Sequence, residues 1–286
     1  HMLRRTPKRL YVAKADPVRI AFREMELEKE FMRRYDPDLV KECLRVRRKY
    51  FLAKKTGGRK RIWLTFDKLY KGGDNGEYFF KYAQRVKDDV DCYYVLNEDS
   101  PDYPALYKKY GKKVVKYGSD RLKLLALNCE AALATHANPA PFFGFKGDYV
   151  RFFKDLYHAD TVCIQHGLTI QKIANHQNRV LADTKLYCCA SQFEVDNILH
   201  PVYDYTPDQV KLTGLCRYDG LHSDDHKQIL ITPTWRSYLA APSVMGSTRP
   251  YNPDFKYSTY FRIYEDLITD QRLIRTAKET GYELIL

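Results

Sequence analysis

Thr161-Val162-Cys163-Ile164-Gln165-His166-Gly167-Leu168 reads as a buried strand that ends abruptly in chemistry. Thr161 to Ile164 is a short apolar, β-branched run, and Gly167 is expected to supply the backbone freedom needed where a strand turns out of a sheet. His166 then stands at a strand's C-terminal end. In open α/β sheets ligands bind outside the carboxyl ends of the strands, so an imidazole there is a candidate general base. The competing reading is a histidine hydrogen-bonded for structure alone.

The same alternation extends in both directions from this strand. Upstream, Arg61 to Phe66 reads as a strand, and the Gly72-Gly73-Asp74 loop leads to Asn75, which can cap a helix from Gly76 to Lys87. There follow a strand Cys92 to Leu96, a helix Pro101 to Tyr110, a strand Lys113 to Lys116, a helix Ser119 to Leu127 and a strand Ala131 to Thr135. Downstream, a loop holding Asn175 and Asn178 leads to a strand Lys185 to Ala190, a helix capped by Ser191 and running to Leu199, and a strand Val210 to Thr213 before Gly214. A βαβα series of this kind predicts a mainly parallel sheet with helices on both faces, joined by right-handed crossovers.

Ser223-Asp224-Asp225-His226 reads as a linker. Beyond it a second α/β unit is expected, with a strand Gln228 to Thr232, helices Tyr257 to Thr269 and Asp270 to Thr280, and a strand Tyr282 to Leu286. The sequence stops inside that last strand, so the second domain is expected to be truncated. The predicted organisation is a basic amphipathic helical segment over 1–58, a Rossmann-like domain over 59–225 and the beginning of another over 226–286. There is no internal repeat and no low-complexity tract.

At 286 residues, 44% hydrophobic and with 24 Tyr and 14 Phe, the chain has the composition of a globular protein with room for two cores. No stretch approaches the roughly eighteen continuous apolar residues of a membrane span, and no secretory leader opens the sequence, where His1-Met2 reads as a cloning remnant. Seven cysteines without a CxxC spacing predict core thiols in a reducing cytosol and no metal site. The net charge of +12 is concentrated: His1 to Ile62 carries 20 Lys and Arg against 8 Asp and Glu, while the remaining 224 residues carry 28 of each sign. Helical periodicity over Arg19 to Arg34 and Pro37 to Lys55, the latter stopped by Gly57-Gly58, places that charge on two amphipathic helices. An attached basic element fits an anionic lipid surface or a polyanionic polymer better than it fits a nucleic-acid-binding protein. It fits equally a solvated face of helices packed on the next domain.

Several polar residues share the carboxyl ends of strands: the Asp74 loop, Gln165-His166, Arg217 with Asp219 after Gly214, and Thr234 with Arg236. They are expected to converge on one cleft. A possible base, guanidiniums able to pair with phosphate oxygens, and glycines that let backbone N–H groups approach an anion suit phosphoryl or glycosyl transfer. Hydride transfer is disfavoured because no GxGxxG follows the first strand, and P-loop hydrolysis because no GxxxxGK[ST] occurs. A salt bridge between domains is the alternative for Arg217 and Arg236.

Asp74-Asn75-Gly76, Gln165-His166-Gly167, Gly214-Leu215-Cys216-Arg217-Tyr218-Asp219 and Ile229-Leu230-Ile231-Thr232-Pro233-Thr234-Trp235-Arg236 together resemble the CDP-glycerol glycerophosphotransferase family, the teichoic-acid and capsule polymerases and primases. The resemblance runs from about Arg61 to the last residue. It implies a GT-B architecture and transfer of glycerol or ribitol phosphate from a CDP-alditol to a hydroxyl of a lipid-linked polymer, with no further cofactor. It also implies a peripheral place on the inner face of a bacterial cell membrane, an anionic surface that the basic helices would suit. By the same resemblance His166 matches the family's base, and Arg217 and Arg236 match motif arginines that hold phosphate. Asp219, Thr234, Gln165, Gly167, Asp74 and Asn75 fall at the remaining substrate-binding positions of those motifs.

The departures are specific. The family often has Trp-His-Gly-Thr-Pro where this chain has Gln165 before the histidine and Leu168-Thr169 after it, and many members have Pro where Cys216 stands. A second family histidine, in a Lys-Pro-His-Pro-like segment just beyond a strand resembling Tyr282 to Leu286, is absent. The chain is therefore expected to hold the acceptor side and only the opening of the donor domain. A GT-B sugar transferase with another nucleotide donor, and a non-catalytic module that grips polyanion, are the alternatives.

Overall fold

Alternation of buried strands with helices is what the computed structural model shows; it describes residues 17–56, 61–86, 88–136, 143–144, 152–153, 155–168, 173–234, 236–241 and 250–286. Among the described residues, β1 (Arg61–Phe66), β2 (Val90–Leu96), β3 (Val114–Lys116), β4 (Ala131–Ala134), β5 (Asp160–Cys163), β6 (Thr184–Cys189) and β7 (Val210–Leu212) form one sheet. Every neighbouring pair runs parallel. A parallel sheet is covered on both faces, so its central strands must be apolar throughout. All four residues of β4 are buried, as are Leu64, Thr65 and Phe66 of β1.

The strand order is β3-β2-β1-β4-β5-β6-β7. The chain steps outward from β1 to β3, then returns to the other side of β1 and steps outward again. That reversal opens a crevice between the C-terminal ends of β1 and β4, the place where sheets of this order bind ligands. β4 and β5 are registered Ala134 to Cys163, which brings the residues after both strands to the same edge.

The helices are α1 (Pro17–Met32), α2 (Pro37–Thr56), α3 (Asn75–Ala83), α4 (Tyr103–Tyr110), α5 (Asp120–Asn128), α6 (Ala174–Gln177), α7 (Arg179–Ala182) and α8 (Gln192–Ile198). Ser119 and Ser191 cap α5 and α8 as expected. Two details differ from the sequence reading. Asp74, not Asn75, is the N-cap of α3, which frees the Asn75 side chain for another task. The expected loop around Asn175 and Asn178 holds α6 and α7, each one turn long and too short to leave a periodic signal, with Asn178 Oδ1 accepting the Val180 N–H at 2.9 Å as the cap of α7.

The first two helices, expected as a segment of their own, share a core with the sheet. Leu27, Phe31, Val40, Leu44, Val46 and Tyr50 are buried in one cluster with Leu64, Phe66, Phe152 and Phe153. Each such side chain contributes about 1.5–3 kcal/mol of burial free energy. Their basic residues Lys29, Arg33, Arg34, Lys41, Arg45 and Arg48 stay exposed.

The chain divides into two compact units, His1–Gly220 and Leu221–Leu286. In the second, β8 (Gln228–Leu230) and β9 (Glu283–Ile285) pair in parallel, and α9 (Thr259–Thr269) and α10 (Gln271–Thr280) precede β9. Ser258 and Asp270 cap those helices. Gly281, at φ 75°, ends α10 in the left-handed conformation. The expected Gly57-Gly58 stop, the helix end at Lys87, Thr169, Trp235 and His1-Met2 lie outside the described residues. No described helix is long and apolar enough to cross a membrane.

Candidate functional site

Asp67 follows β1 directly and is almost fully buried. Its Oδ1 accepts the Gly76 N–H at 2.7 Å, and its Oδ2 accepts the Glu77 N–H at 2.9 Å and the Tyr94 hydroxyl at 3.0 Å. A Cβ at Gly76 would stand 2.6 Å from that carboxylate and 2.7 Å from the Phe66 carbonyl oxygen, so only glycine lets α3 start this close to the strand. Burial pushes the Asp67 carboxyl up to about 6, against the pull of the two N–H groups. The neighbouring amides are taken in the same way. Gly72 N–H donates to Asp102 at 2.9 Å and Gly73 N–H to Glu77 at 2.8 Å. The glycine amides expected to be open to an anion are therefore filled by the chain's own carboxylates, a correction with a clear cause: acidic side chains lie beside this turn, where an open phosphate loop has none.

Asn75 is fully buried and works as a clip. Its Nδ2 donates to the carbonyls of Gln165 at 2.6 Å and Ile164 at 3.3 Å, while its Oδ1 accepts the backbone N–H of Arg217 at 2.9 Å. Arg217 sits in a 3-10 turn, Cys216–Gly220, after β7. Gly220 fits that turn against the Tyr78 ring, where a Cβ would come within 2.5 Å. From there the Arg217 Nη1 donates to Asp74 Oδ1 at 2.8 Å and to the His166 carbonyl at 2.7 Å. The ion pair lies inside the first unit, which removes the expected interdomain bridge for this arginine.

The turn after β5 is made by Gln165 and not by Gly167. Gln165 has φ 51°, the left-handed region that costs a non-glycine residue free energy, whereas Gly167 is not among the residues with positive φ. What holds Gln165 there is its side chain. The amide is buried and hydrogen-bonds Gln177 at 3.0 Å and the Tyr187 hydroxyl, and Tyr187 also reaches Gln177. With Gln165 turned inward, His166 and Leu168 are left exposed at the sheet edge. Gly167 packs loosely under Arg217, whose Nη2 would lie 3.9 Å from a Cβ there.

A second histidine completes the edge. His136 follows Thr135 at the end of β4, and its ring centroid is 5.5 Å from that of His166. Thr135 is fully buried, with Oγ1 3.2 Å from His136 Nδ1. Burial first, then His166 and Lys68, lower the pKa of His136, opposed by Asp74. The sequence reading passed over this residue, although it follows the strand Ala131 to Thr135 as His166 follows its own strand.

The arrangement is thus a pair of imidazoles beside the sheet's switch point, with a guanidinium fastening the backbone of one of them. Residues 47–286 match the family model described as CDP-glycerol:poly(glycerophosphate) glycerophosphotransferase. The chain belongs to this glycerophosphotransferase family. It is 38% identical over 231 residues to the minor teichoic acid biosynthesis protein GgaB of Bacillus subtilis (strain 168), an alignment that covers 79% of this chain and 25% of that protein. The chain therefore spans about a quarter of the length of that relative.

Asp219, Thr234 and Arg236 are the motif residues that remain. Asp219 is exposed in the turn that carries Arg217. Thr234 and Arg236 belong to the second unit, where Arg236 Nη1 donates to the Thr234 carbonyl at 3.1 Å and its guanidinium lies 5.5 Å over the Tyr260 ring. Tyr260 donates its hydroxyl to the same carbonyl at 2.7 Å. Among the described residues no group of three or more His, Cys, Asp or Glu could hold a metal ion. All seven cysteines are free, and all but Cys216 are buried. Burial pushes Cys163, beside this site, up to about 12, which leaves its thiol unreactive.

Proposed function

We propose that this chain serves the transfer of glycerol phosphate from CDP-glycerol to a hydroxyl of a lipid-linked teichoic-acid polymer. The observation that carries the reading is the exposed His166 imidazole at the sheet's ligand-binding edge, its backbone carbonyl held by Arg217, in a chain of this family. In the reaction the acceptor hydroxyl oxygen attacks the glycerol-bearing phosphorus. The P–O bond to CMP breaks, CMP leaves with the bonding pair, and His166 takes the acceptor's proton. No covalent intermediate is needed. Arg217, already paired with Asp74, offsets charge on the transferring phosphate with its remaining N–H groups, and the family resemblance supports phosphate binding by Arg236 and Thr234 as well.

The family resemblance supports reading the two α/β units as parts of a GT-B architecture. The exposed basic residues of α1 and α2 support a peripheral place on the inner, anionic face of a bacterial membrane, held by charge together with the exposed Phe22, Met25 and Leu52, while Leu27, Phe31, Val40, Leu44 and Val46 are occupied in the core. Salt-sensitive sedimentation with phosphatidylglycerol vesicles, absent with phosphatidylcholine, tests that placement.

The test of the reaction uses the enzyme containing this chain, radiolabelled CDP-glycerol and, in parallel, CDP-ribitol, with a lipid-linked acceptor. CMP release that collapses in His166→Ala is the expected result. Full activity in that variant removes His166 from the mechanism. Turnover of neither donor returns the site to a sugar transferase with another nucleotide or to a module that only binds polyanion.

A further inference from the structure

We propose that Lys68 and Lys71 form a two-lysine clamp for the polyol-phosphate acceptor, gripping the phosphodiester that lies one glycerol behind the attacking hydroxyl. The inference rests on the transferase reading above, and it assigns a role to two residues outside every motif that led to that reading.

Position is the first argument. Lys68 and Lys71 belong to the tight turn that follows β1 and the buried Asp67. β1 lies next to β4 at the switch point, so this turn borders the crevice that the strand order opens. The turn is firmly held. Lys71 N–H donates to the Lys68 carbonyl at 3.0 Å, Asn97 N–H donates to the Leu69 carbonyl at 2.8 Å, and the Leu69 side chain packs against the core. Lys68 is also near enough to the His136 ring to depress its pKa, and that ring is 5.5 Å from the His166 ring. The two lysines and the base therefore share one edge of the sheet.

Charge is the second argument. Lys68 and Lys71 are partners in an isolated antiparallel bridge. Residues directly opposite in such a bridge carry their side chains on the same face, where like charges repel. Both lysines are exposed, and among the described residues no acid pairs with either ammonium. The acids bonded into this stretch are engaged elsewhere: Asp67 with the amides of Gly76 and Glu77, Asp74 with Arg217, Glu77 with Lys81 and Asp102 with the Gly72 amide. Two facing ammoniums without a counter-charge destabilise the free protein, and one anion between them turns that repulsion into attraction.

The third argument is which donors remain, and for which phosphate. A phosphate at the end of β1 would ordinarily take backbone amides of the glycine turn and the start of α3. Here the amides of Gly72, Gly73, Gly76 and Glu77 are bound to Asp102, Glu77 and Asp67, so phosphate oxygens at this edge must be met by side chains. Lysine suits the task, as a point charge with rotatable N–H donors on a flexible stem. When the acceptor's terminal hydroxyl lies at His166, its nearest negative charge is one glycerol away, beside the base and not on it. The cations then divide the work: Arg217 meets the phosphate in transfer, and the lysines meet the acceptor's own.

The experiment titrates a short soluble glycerol-phosphate oligomer into this chain by calorimetry, with circular dichroism melts alongside. It compares the wild type with Lys68→Gln plus Lys71→Gln, with Lys68→Arg plus Lys71→Arg, and with a charge-matched control, Lys108→Gln plus Lys109→Gln, which alters two exposed lysines at the end of α4. The glutamine pair at 68 and 71 is expected to weaken binding about 10- to 100-fold, the loss of two charge-assisted hydrogen bonds after solvent screening. The arginine pair keeps both charges and is expected to stay within about 5-fold of the wild type. Because the repulsion between the ammoniums is gone, the glutamine pair is expected to melt at or slightly above the wild-type temperature. In the transferase assay, with the enzyme containing this chain, it is expected to raise the acceptor KM, leave the CDP-glycerol KM unchanged and leave kcat within about 2-fold. Wild-type binding by the glutamine pair, equal weakening in the Lys108 and Lys109 control, early melting of the glutamine pair, no binding by the wild-type chain, or a rise confined to the CDP-glycerol KM overturns the proposal. A wild-type protein that binds the oligomer through these lysines yet turns over neither donor supports the clamp and defeats the transferase reading, so the two failures are told apart.

Discussion

Asn75 and Arg217 stand 142 residues apart in the chain and meet at 2.9 Å, the Asn75 Oδ1 accepting the Arg217 backbone N–H. The same amide holds the carbonyls of Ile164 and Gln165, so one buried side chain fixes the distance between the turn carrying Arg217 and the strand end carrying His166. Asn75→Ala leaves two buried carbonyls and the part-buried Arg217 N–H without this partner and is expected to destabilise the protein by about 2–4 kcal/mol. For a domain of this size that lowers the Tm by roughly 4–16 °C. Urea and thermal melts check it, and a variant melting with the wild type shows that the clip does not hold these elements together.

Arg217 separates binding geometry from stability. Its pair with Asp74 is partly exposed, with side-chain exposures of 33% and 19%, so Arg217→Lys is expected to change stability by no more than about 1 kcal/mol. Lysine cannot reach Asp74 and the His166 carbonyl while also offering a planar face to phosphate. Transfer is therefore expected to fall about 10- to 100-fold at nearly unchanged Tm. A loss of Tm in step with activity would falsify the division of roles.

Asp67 predicts a pH dependence with a definite sign. Its folded pKa is raised from 3.8 to about 6, so the folded state binds the extra proton in that window. The stability this group contributes is present below about pH 4 and is lost as the pH rises through 6. Asp67→Asn cannot ionise, so the variant is expected to gain on the wild type by on the order of 3 kcal/mol between pH 4 and pH 7. Paired urea titrations across that range measure the difference. A gap that is constant with pH shows that Asp67 titrates as it does in the unfolded chain.

The parallel sheet was legible because each strand is a short apolar run ending in turn chemistry, and the limits from β1 to β7 shifted by only a residue or two. His166 was legible by the same rule of position. His136 obeys that rule too but was passed over, since an imidazole after an alanine-rich strand carries no motif of its own. The glycine loop misled for an electrostatic reason: the residue types of an anion-binding turn are present, and only the fold shows that Asp67, Glu77 and Asp102 reach its amides. The turn at Gln165 was illegible because the strain of a left-handed glutamine is compensated by Gln177 and Tyr187, 12 and 22 residues away.

Arg47 tests whether the basic helices are built into the fold. It is 1% exposed, donates to the Phe152 carbonyl at 2.6 Å, and forms a two-pronged pair with Asp155 at 2.7 and 2.8 Å. Taking away Arg47 leaves the Phe152 carbonyl and the part-buried Asp155 carboxylate, 23% exposed, without this partner, so Arg47→Ala is expected to cost about 2–4 kcal/mol. The double variant Arg47→Met with Asp155→Leu removes both charges while keeping apolar volume, and is expected to recover most of that loss. Chemical denaturation of the single and double variants measures the coupling. If Arg47→Ala is as stable as the wild type, α2 is fastened to the sheet by its apolar face alone. If the double variant is as unstable as the single, the loss comes from missing packing around the guanidinium stem and not from a stranded carboxylate. In the expected outcome the helices and sheet unfold as one body, and vesicle binding by their basic face is retained in the double variant, because the exposed Lys41, Arg45 and Arg48 are untouched.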